Sequence, residues 1–261
     1  MSLTGKTKAS SYKDILQMNN SNNGVDATTR NVVDGEGTAS ALNISDDILQ
    51  IAPQNDDTTT LLSVRSKDGE GLLVVDSTND LVKAGIGQHI VNTNIKEFGM
   101  DSTEANPAVA DTWYGLQSTF NFQSNNQLTM GTGSTPEKQE ITSTASSAVK
   151  HYWYVPFNIS IDSCNVWFGA DASTGDVVKF SVMSFEVDSA NGSTSGNLDE
   201  GVENCVSPST ITGAGYEQAY FQQLTVSTAD VDAGKVIIAC VAQDGTNSDL
   251  SVNMQLVYHL R

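Results

Sequence analysis

The residues able to carry catalytic chemistry are few. The chain holds three histidines, His89, His151 and His259, and three cysteines, Cys164, Cys205 and Cys240. Nucleophilic hydrolysis needs a Ser or Cys within reach of a His that a carboxylate orients. His259 falls on the polar side of an alternating strand pattern, His151 opens an aromatic run, and His89 follows a Gly-Ile-Gly turn, so each reads as structural or solvated. Cys164 alternates with Val166 and Phe168, and Cys240 with Val236 and Ile238; both read as core hydrophobes. Three cysteines at wide spacing make neither a disulfide framework nor a zinc pattern. Glycosidases work with two carboxylates across a cleft, and Asp199, Glu200 and Glu203 cluster beside the run SANGSTSGN. Among 31 Asp and Glu residues such a cluster reads as a solvated loop. The run NNSNNGVDAT has the glycine of a calcium loop, but Asn19, Ser21 and Asn23 supply no carboxylate and Arg30 stands where a glutamate is needed. It reads as a turn. Neither GxGxxG nor GxxxxGK occurs, so no phosphate cradle is indicated. No catalytic residue, metal site or cofactor is expected.

Aromatic residues are the more suggestive set. His151, Tyr152, Trp153 and Tyr154 stand in a row, and Trp113, Tyr114, Tyr216 and Tyr220 lie near acidic and amide groups. Aromatic rings can stack on sugar faces, which makes these seven tyrosines and tryptophans candidate glycan contacts. Strand side chains alternate, however, so either Tyr152 with Tyr154 or Trp153 alone would be exposed. Core or subunit contact competes with the platform reading.

The elements that must position these residues differ along the chain. Its 261 residues allow about two domains or one large β domain. Thirteen Lys and Arg against 31 Asp and Glu give a net charge of −18, which argues against a nucleic-acid surface, since phosphate binding needs clustered cations. No stretch approaches the ~20 apolar residues of a membrane span, so a soluble protein without membrane insertion is expected. The opening MSLTGKTKASSYKD lacks an apolar h-region, which points to synthesis and folding in a cytoplasm. Tyr12 is the sole aromatic before residue 98. Residues 98–261 can therefore build a thick core, while residues 1–97 must rely on thin aliphatic contacts.

Residues 10–18, SSYKDILQM, read as a short helix capped by Ser10 or Ser11 and stopped by NNSNNG. Two turns of helix are marginal alone, so Tyr12, Ile15, Leu16 and Met18 are expected to dock against another subunit or another protein. From 41 to 86, five apolar clusters recur: Leu42 and Ile44; Ile48, Leu49 and Ile51; Leu61, Leu62 and Val64; Leu72 to Val75; Leu81 and Val82. Turn-forming runs such as SKDGEG and DSTND separate them. The pattern predicts a ladder of short strands with too little bulk to bury themselves in one chain. Three chains wound together would bury the aliphatic residues along an axis and pair the strand edges.

Residues 98–150 show one strand candidate, WYGLQSTFNF. Beyond His151, long strands follow at regular spacing: HYWYVPF, NISIDSCNVWF, DVVKFSVMSFEV, YEQAYFQQLTV, GKVIIACVAQ and LSVNMQLVYHL. They indicate a β-sandwich. Val178, Phe180 and Val182 occupy even positions, but Met183, Phe185 and Val187 odd ones, which requires a bulge or bend near Val182. A similar switch lies between Ile161 and Cys164. Both faces of GKVIIACVAQ are apolar, so that strand should be central. The expected fold is mainly β: an attachment arm with a short helix (1–40), a narrow intertwined trimeric β stalk (41–97) and a C-terminal jelly-roll-like β-sandwich (98–261).

The run LLVVDSTNDLVKAGIG at 72–87 resembles an element that recurs in trimeric tail fibres and related appendages of bacteriophages. The stretch from SYKDILQM to IAPQND resembles the opening of virion structural proteins of marine tailed phages, including those of cyanobacteria. The stretch from ITGAGYEQAYFQQL to LVYHLR is similar to their terminal β domains. The resemblance implies a non-enzymatic virion protein, whether tail fibre, collar or neck appendage, or capsid-attached fibre. It implies a homotrimer bound to other virion proteins through its N-terminal arm, with a C-terminal jelly-roll-like domain that either faces outward, where it can contact the host surface, or trimerises. No active-site residue is carried over with it. A carbohydrate-binding adhesin that recognises host polysaccharide and a capsid decoration or cement protein are the alternatives. A polysaccharide depolymerase is disfavoured, since that chemistry usually rests on a longer β-helical scaffold.

Overall fold

Short apolar clusters between aspartate-built turns form the strands of an N-terminal unit, Met1–Val91. The computed structural model describes residues 15–21, 23–85, 89–101, 109–118, 128–137, 148–170, 177–188, 197–208, 211–212, 218–243 and 250–261. Strands β1 (Gln17–Met18), β2 (Arg30–Val33), β3 (Ala39–Ile44) and β4 (Leu49–Ile51) pair in chain order. A second sheet follows the same rule with β5 (Leu62–Arg65), β6 (Gly71–Asp76), β7 (Leu81–Ala84) and β8 (His89–Ile90). Each of the five apolar clusters read from the sequence contributes a strand, β3 to β7.

Carboxylates write the turns. Asp34 accepts hydrogen bonds from the Glu36 and Thr38 amides at 2.9 and 2.8 Å and closes β2 onto β3. Asp76, at the end of β6, accepts from the Asn79 amide at 3.1 Å and the Asn79 side chain at 2.9 Å. Lys83 of β7 adds an ion pair to the same carboxylate at 3.1 Å. The local side-chain bonds offer the backbone a ready-made reversal, which is the physical content of the VDSTND run.

The helix expected over residues 10–18 does not extend through 15–18. Ile15 and Leu16 belong to no regular element, and Gln17 and Met18 pair with Val33 and Val32. The Asn20 side chain donates to the Gly24 carbonyl at 2.8 Å and to Asp26 at 3.2 Å. The asparagine run thus folds back into β2 instead of stopping a helix, and a ladder to β2 outcompetes two marginal helical turns. Residues 10–14, Tyr12 among them, lie outside the described residues.

Asn92–Arg261 form the second unit, so residues 92–97 go with it and not with the strand ladder before them. Its strands are β9 (Thr93–Asp101), β10 (Tyr114–Gly115), β11 (Leu128–Thr129), β12 (Trp153–Tyr154), β13 (Ile159–Ala170), β14 (Val177–Val187), β15 (Leu198–Val206), β16 (Ile211–Thr212), β17 (Gln218–Val226), β18 (Asp230–Val231), β19 (Val236–Gln243) and β20 (Ser251–Leu260). They make one twelve-stranded sheet along the path β11-β10-β19-β14-β15-β17-β13-β20-β9, with β12, β16 and β18 attached to β19, β14 and β13. The sheet curls until its ends meet. Gly99 of β9 exchanges two backbone hydrogen bonds, 2.9 and 2.8 Å, with Gln117, two residues beyond β10. Such closure removes exposed strand edges.

The curl encloses the larger core, in which Phe168, Cys164 and Met254 from one half of the sheet meet Phe180, Val241 and Cys205 from the other. A second core of Trp113, Met130, Met183, Phe185 and Ile238 lies on the opposite face of β14 and β19. All eight residues of β19 are consequently buried, as its two apolar faces required. The phase switch in β14 has the same cause, since Val178, Phe180 and Val182 serve the larger core while Met183 and Phe185 serve the second. Register shifts between Val182 and Met183 and between Ile161 and Ser163 provide the bends. Several strands were not anticipated from the sequence, the longest of them β9 and β15. The acidic cluster Asp199, Glu200 and Glu203 lies in β15 rather than in a loop, and Glu203 accepts a hydrogen bond from the Ser181 hydroxyl at 3.1 Å.

Asp76 makes the turn geometry testable. The Asn79 side chain, then Lys83 and the Asn79 amide, hold its carboxyl below the usual carboxylate range against the opposing effect of burial. Folding therefore favours the ionised form. Its stabilisation is complete above the unfolded value of about 4 and is lost as pH falls through the lower folded value. Carbon-detected NMR of the side-chain carboxyl should find its midpoint below about 4, with Asn79→Ala and Lys83→Met each raising it. A midpoint unmoved by either substitution contradicts the assignment.

Candidate functional site

Strand alternation forces one large aromatic outward. Cys164, Val166 and Phe168 of β13 point into the larger core, so Trp167 between them must face solvent. Gln222 and Leu224 of β17 are buried, which likewise turns Phe221 and Gln223 out. Trp167 is paired with Phe221 on one side and Asn253 of β20 on the other. The two rings meet with centroids 4.9 Å apart at 50°, and they remain 54% and 51% exposed.

The neighbouring cross-strand rows differ in character. One row holds Gln223, Asn165, Gln255 and Glu97, partners in sequence across β17, β13, β20 and β9. The Gln255 side-chain amide donates to Glu97 at 3.4 Å. On the other side of the aromatic pair lies a row that is small on β17, β13 and β20, with Ala219, Gly169 and Ser251, and reaches Asp101 on β9. A Cβ built on Gly169 would come within 3.1 Å of the Ser251 hydroxyl, so glycine keeps this row low. Trp167, Gly169, Ala219, Ser251 and Asn253 line an open cavity of about 370 Å³ together with residues of the sheet's inner side. The face thus joins an aromatic wall, a shallow floor and neutral amide groups able both to donate and to accept.

The aromatics singled out from the sequence are not brought together in this way. Trp113 is 3% exposed in the second core, and its indole donates to the Gly133 carbonyl at 2.9 Å. Tyr114 is buried, and its hydroxyl accepts from the Val109 amide at 2.8 Å. Tyr152 packs against the second core, and burial raises its phenol pKa. Trp153 packs against Phe98 and Tyr258, with centroids at 6.3 and 5.0 Å. Tyr220 stacks on Phe168 at 5.2 Å. Only Tyr154 is exposed, and Tyr216 lies outside the described residues. Of the attachment residues, Ile15 and Leu16 are exposed and Met18 is half-buried in β1.

The nucleophile and base candidates are dispersed. His151 is buried, the nearest side chain to the space a Cβ on Gly115 would occupy. The His259 ring nitrogen Nδ1 lies 2.9 Å from Asp162, a residue within the β13 bulge. The His89 side chain is outside the described set. All three cysteines are free and buried. A hydrogen bond to Cys205, then burial, raises the Cys164 thiol pKa, and burial followed by the Glu203 charge raises that of Cys240. Among the described residues no three or more His, Cys, Asp and Glu groups cluster to hold a metal, and no helix is long and apolar enough to cross a membrane.

No family model matches the sequence, and no curated protein matches it. Among solved structures, the chain is similar to one described as the structure of infectious bursal disease virus Gx strain, at 8% identity and a TM-score of 0.26. The match covers 89% of this chain and 64% of that one. At that level the likeness carries no functional argument.

The three tryptophans provide a direct check on the face. Trp113 is buried, Trp153 half-buried and Trp167 more than half exposed. Acrylamide should quench a readily accessible fluorescence component that Trp167→Phe abolishes and Trp113→Phe leaves in place. Equal quenching in Trp167→Phe and the parent protein would show the ring to be covered.

Proposed function

We propose that this chain is a non-enzymatic virion structural protein that assembles as a homotrimer through its N-terminal unit and presents its C-terminal unit outward as a jelly-roll-like β-sandwich. One observation carries the assembly part of the reading. In the N-terminal unit, Val32, Val33 and Val74 are the only buried aliphatic side chains among the described residues. Cross-strand pairing gathers Leu62, Val64, Leu73, Val75, Val82 and Ala84 on one face of the β5–β7 meander. It likewise gathers Leu42, Ile44, Leu49 and Ile51 on one face of β3 and β4. Leu49 is 69% and Val64 46% exposed. A contiguous aliphatic face on a three-stranded sheet loses roughly 1.5–3 kcal/mol per large side chain when left in water, and such faces mark assembly surfaces.

Further copies of this chain are the fitting occupant, because each copy brings the same aliphatic face and the same deficit. Three copies around an axis would bury these faces and leave the Asp and Asn turns outside. The phage resemblance of the VDSTND element and of both termini supports the virion location, the attachment role of the N-terminal arm and the assignment as fibre or appendage. An adhesin reading has its own observation, the Trp167–Phe221 face, developed below.

Native mass spectrometry should give three times the 27.7 kDa chain mass. The double substitution Val64→Asp and Val82→Asp should produce monomers whose C-terminal unit stays folded by near-ultraviolet circular dichroism, because its core lies in other residues. A parent protein that stays monomeric at tens of micromolar would overturn the assembly reading.

A further inference from the structure

We propose that the Trp167–Phe221 face of the C-terminal unit binds a neutral hexopyranose chain. The inference does not depend on trimer formation or on a virion location, since every residue in it belongs to the second unit. It starts from an exception to the packing pattern. The other two tryptophans of the chain are engaged in cores or ring contacts, whereas Trp167 and Phe221 keep more than half their surface in water while touching each other. Exposed apolar residues scattered singly need no explanation, but paired aromatics beside a cavity do.

The chemistry around the pair selects the ligand class. An aromatic face is the negative side of a ring quadrupole, and one face of a pyranose ring presents C–H groups of slight positive character. Pyranose hydroxyls then project sideways and require groups that both donate and accept. The flanking side chains Asn165, Gln223, Gln255 and Asn253 are amides with that dual capacity, and Ser251 adds a hydroxyl. The floor of Gly169 and Ala219 is low enough to let a ring approach the Trp167 wall within the 370 Å³ cavity.

Charge narrows the class further. The ionisable residues at register positions of these rows are Glu97 and Asp101, both acidic, in a chain of net charge −18. Uronate-rich or sulfated glycans and nucleic acids would meet like charge without a compensating cation. A second copy of this chain is the competing occupant. A single aromatic pair flanked by amides, with a carboxylate at the β9 end of each neighbouring row, is a poor match to a protein interface, whose core is broadly apolar and depleted in charge. The amides match the hydroxyl-rich edge of a sugar.

The test uses the full-length protein with cello-, manno- and maltohexaose as neutral probes and tri-galacturonate and a heparin hexasaccharide as anionic ones, read by calorimetry and saturation-transfer NMR. Binding of at least one neutral probe is expected, with saturation transfer to the C–H face of the sugar. Trp167→Ala and Phe221→Ala should each weaken it about tenfold, the scale of one aromatic contact. Phe157→Ala removes an equally exposed aromatic from the turn before β13 and should leave binding unchanged. Near-ultraviolet circular dichroism of each variant separates lost binding from lost fold. Absence of binding by all neutral probes at about 10 mM, preference for the anionic probes, or binding indifferent to Trp167→Ala would each overturn the proposal. A lowered native mass for Trp167→Ala would also overturn it, by showing the face to be a contact between copies. A monomeric parent protein that still binds the neutral probe through Trp167 would defeat the assembly reading alone.

Discussion

Apolar bulk is shared unequally between the two halves of this chain, and most of its structure follows from that inequality. Hydrophobic burial is the main favourable term in folding, and it scales with the area a segment can remove from water. The C-terminal unit carries enough large side chains to enclose a core inside a sheet that curls until Gly99 meets Gln117. The N-terminal unit has the same backbone vocabulary of short antiparallel strands, but its side chains are mainly aliphatic and polar. Its sheets form, held by Asp34 and Asp76 turns, yet each leaves one aliphatic face in water. Small isolated sheets of this kind are marginal, which is why association is proposed as the way the unit completes a core.

Within the C-terminal unit, the double burial of β19 dictates the rest. A strand apolar on both faces must lie between two cores, and β14, paired with all eight residues of β19, must serve both. That demand explains the changes of phase and register around Val182. It also fixes the exposed side of the opposite half of the sheet. Once Val166 and Phe168 are committed to the larger core, Trp167 has no inward position available. The aromatic and amide face is thus a consequence of core geometry combined with side chains chosen for the solvent side.

Much of the fold could be read from the sequence because its signal is local. Period-two alternation gave the strand at 250–260, the five short clusters gave β3 to β7, and the broken phase at 178–187 gave the bend. The misses have equally specific causes. In β15, the run LDEGVENCV carries three acids that mask its alternation, while burial of Leu198 and Cys205 by distant strands makes it a strand. At residues 15–18, an apolar spacing compatible with helix lost to a ladder with β2, a partner whose register the sequence does not display. The Trp167–Phe221 pair depends on the same kind of nonlocal register. Alternation placed Trp167 outward in principle, but only the pairing of β13 with β17 puts Phe221 beside it. Conversely, the conspicuous run at 151–154 is divided among a short 3-10 turn, two cores and solvent.

The unequal burial at the centre of this account is most directly tested by amide hydrogen exchange of the full chain, compared between a concentrated solution and a monomer obtained by dilution. Strands β13, β14 and β19 should keep the same protection in both, because their core is complete within one chain. Strands β3 to β7 should be protected when concentrated and exchange much faster as monomer, because on the proposed assembly their aliphatic faces are covered by other copies. Protection of β3 to β7 that matches β19 and does not change in a verified monomer would contradict the account.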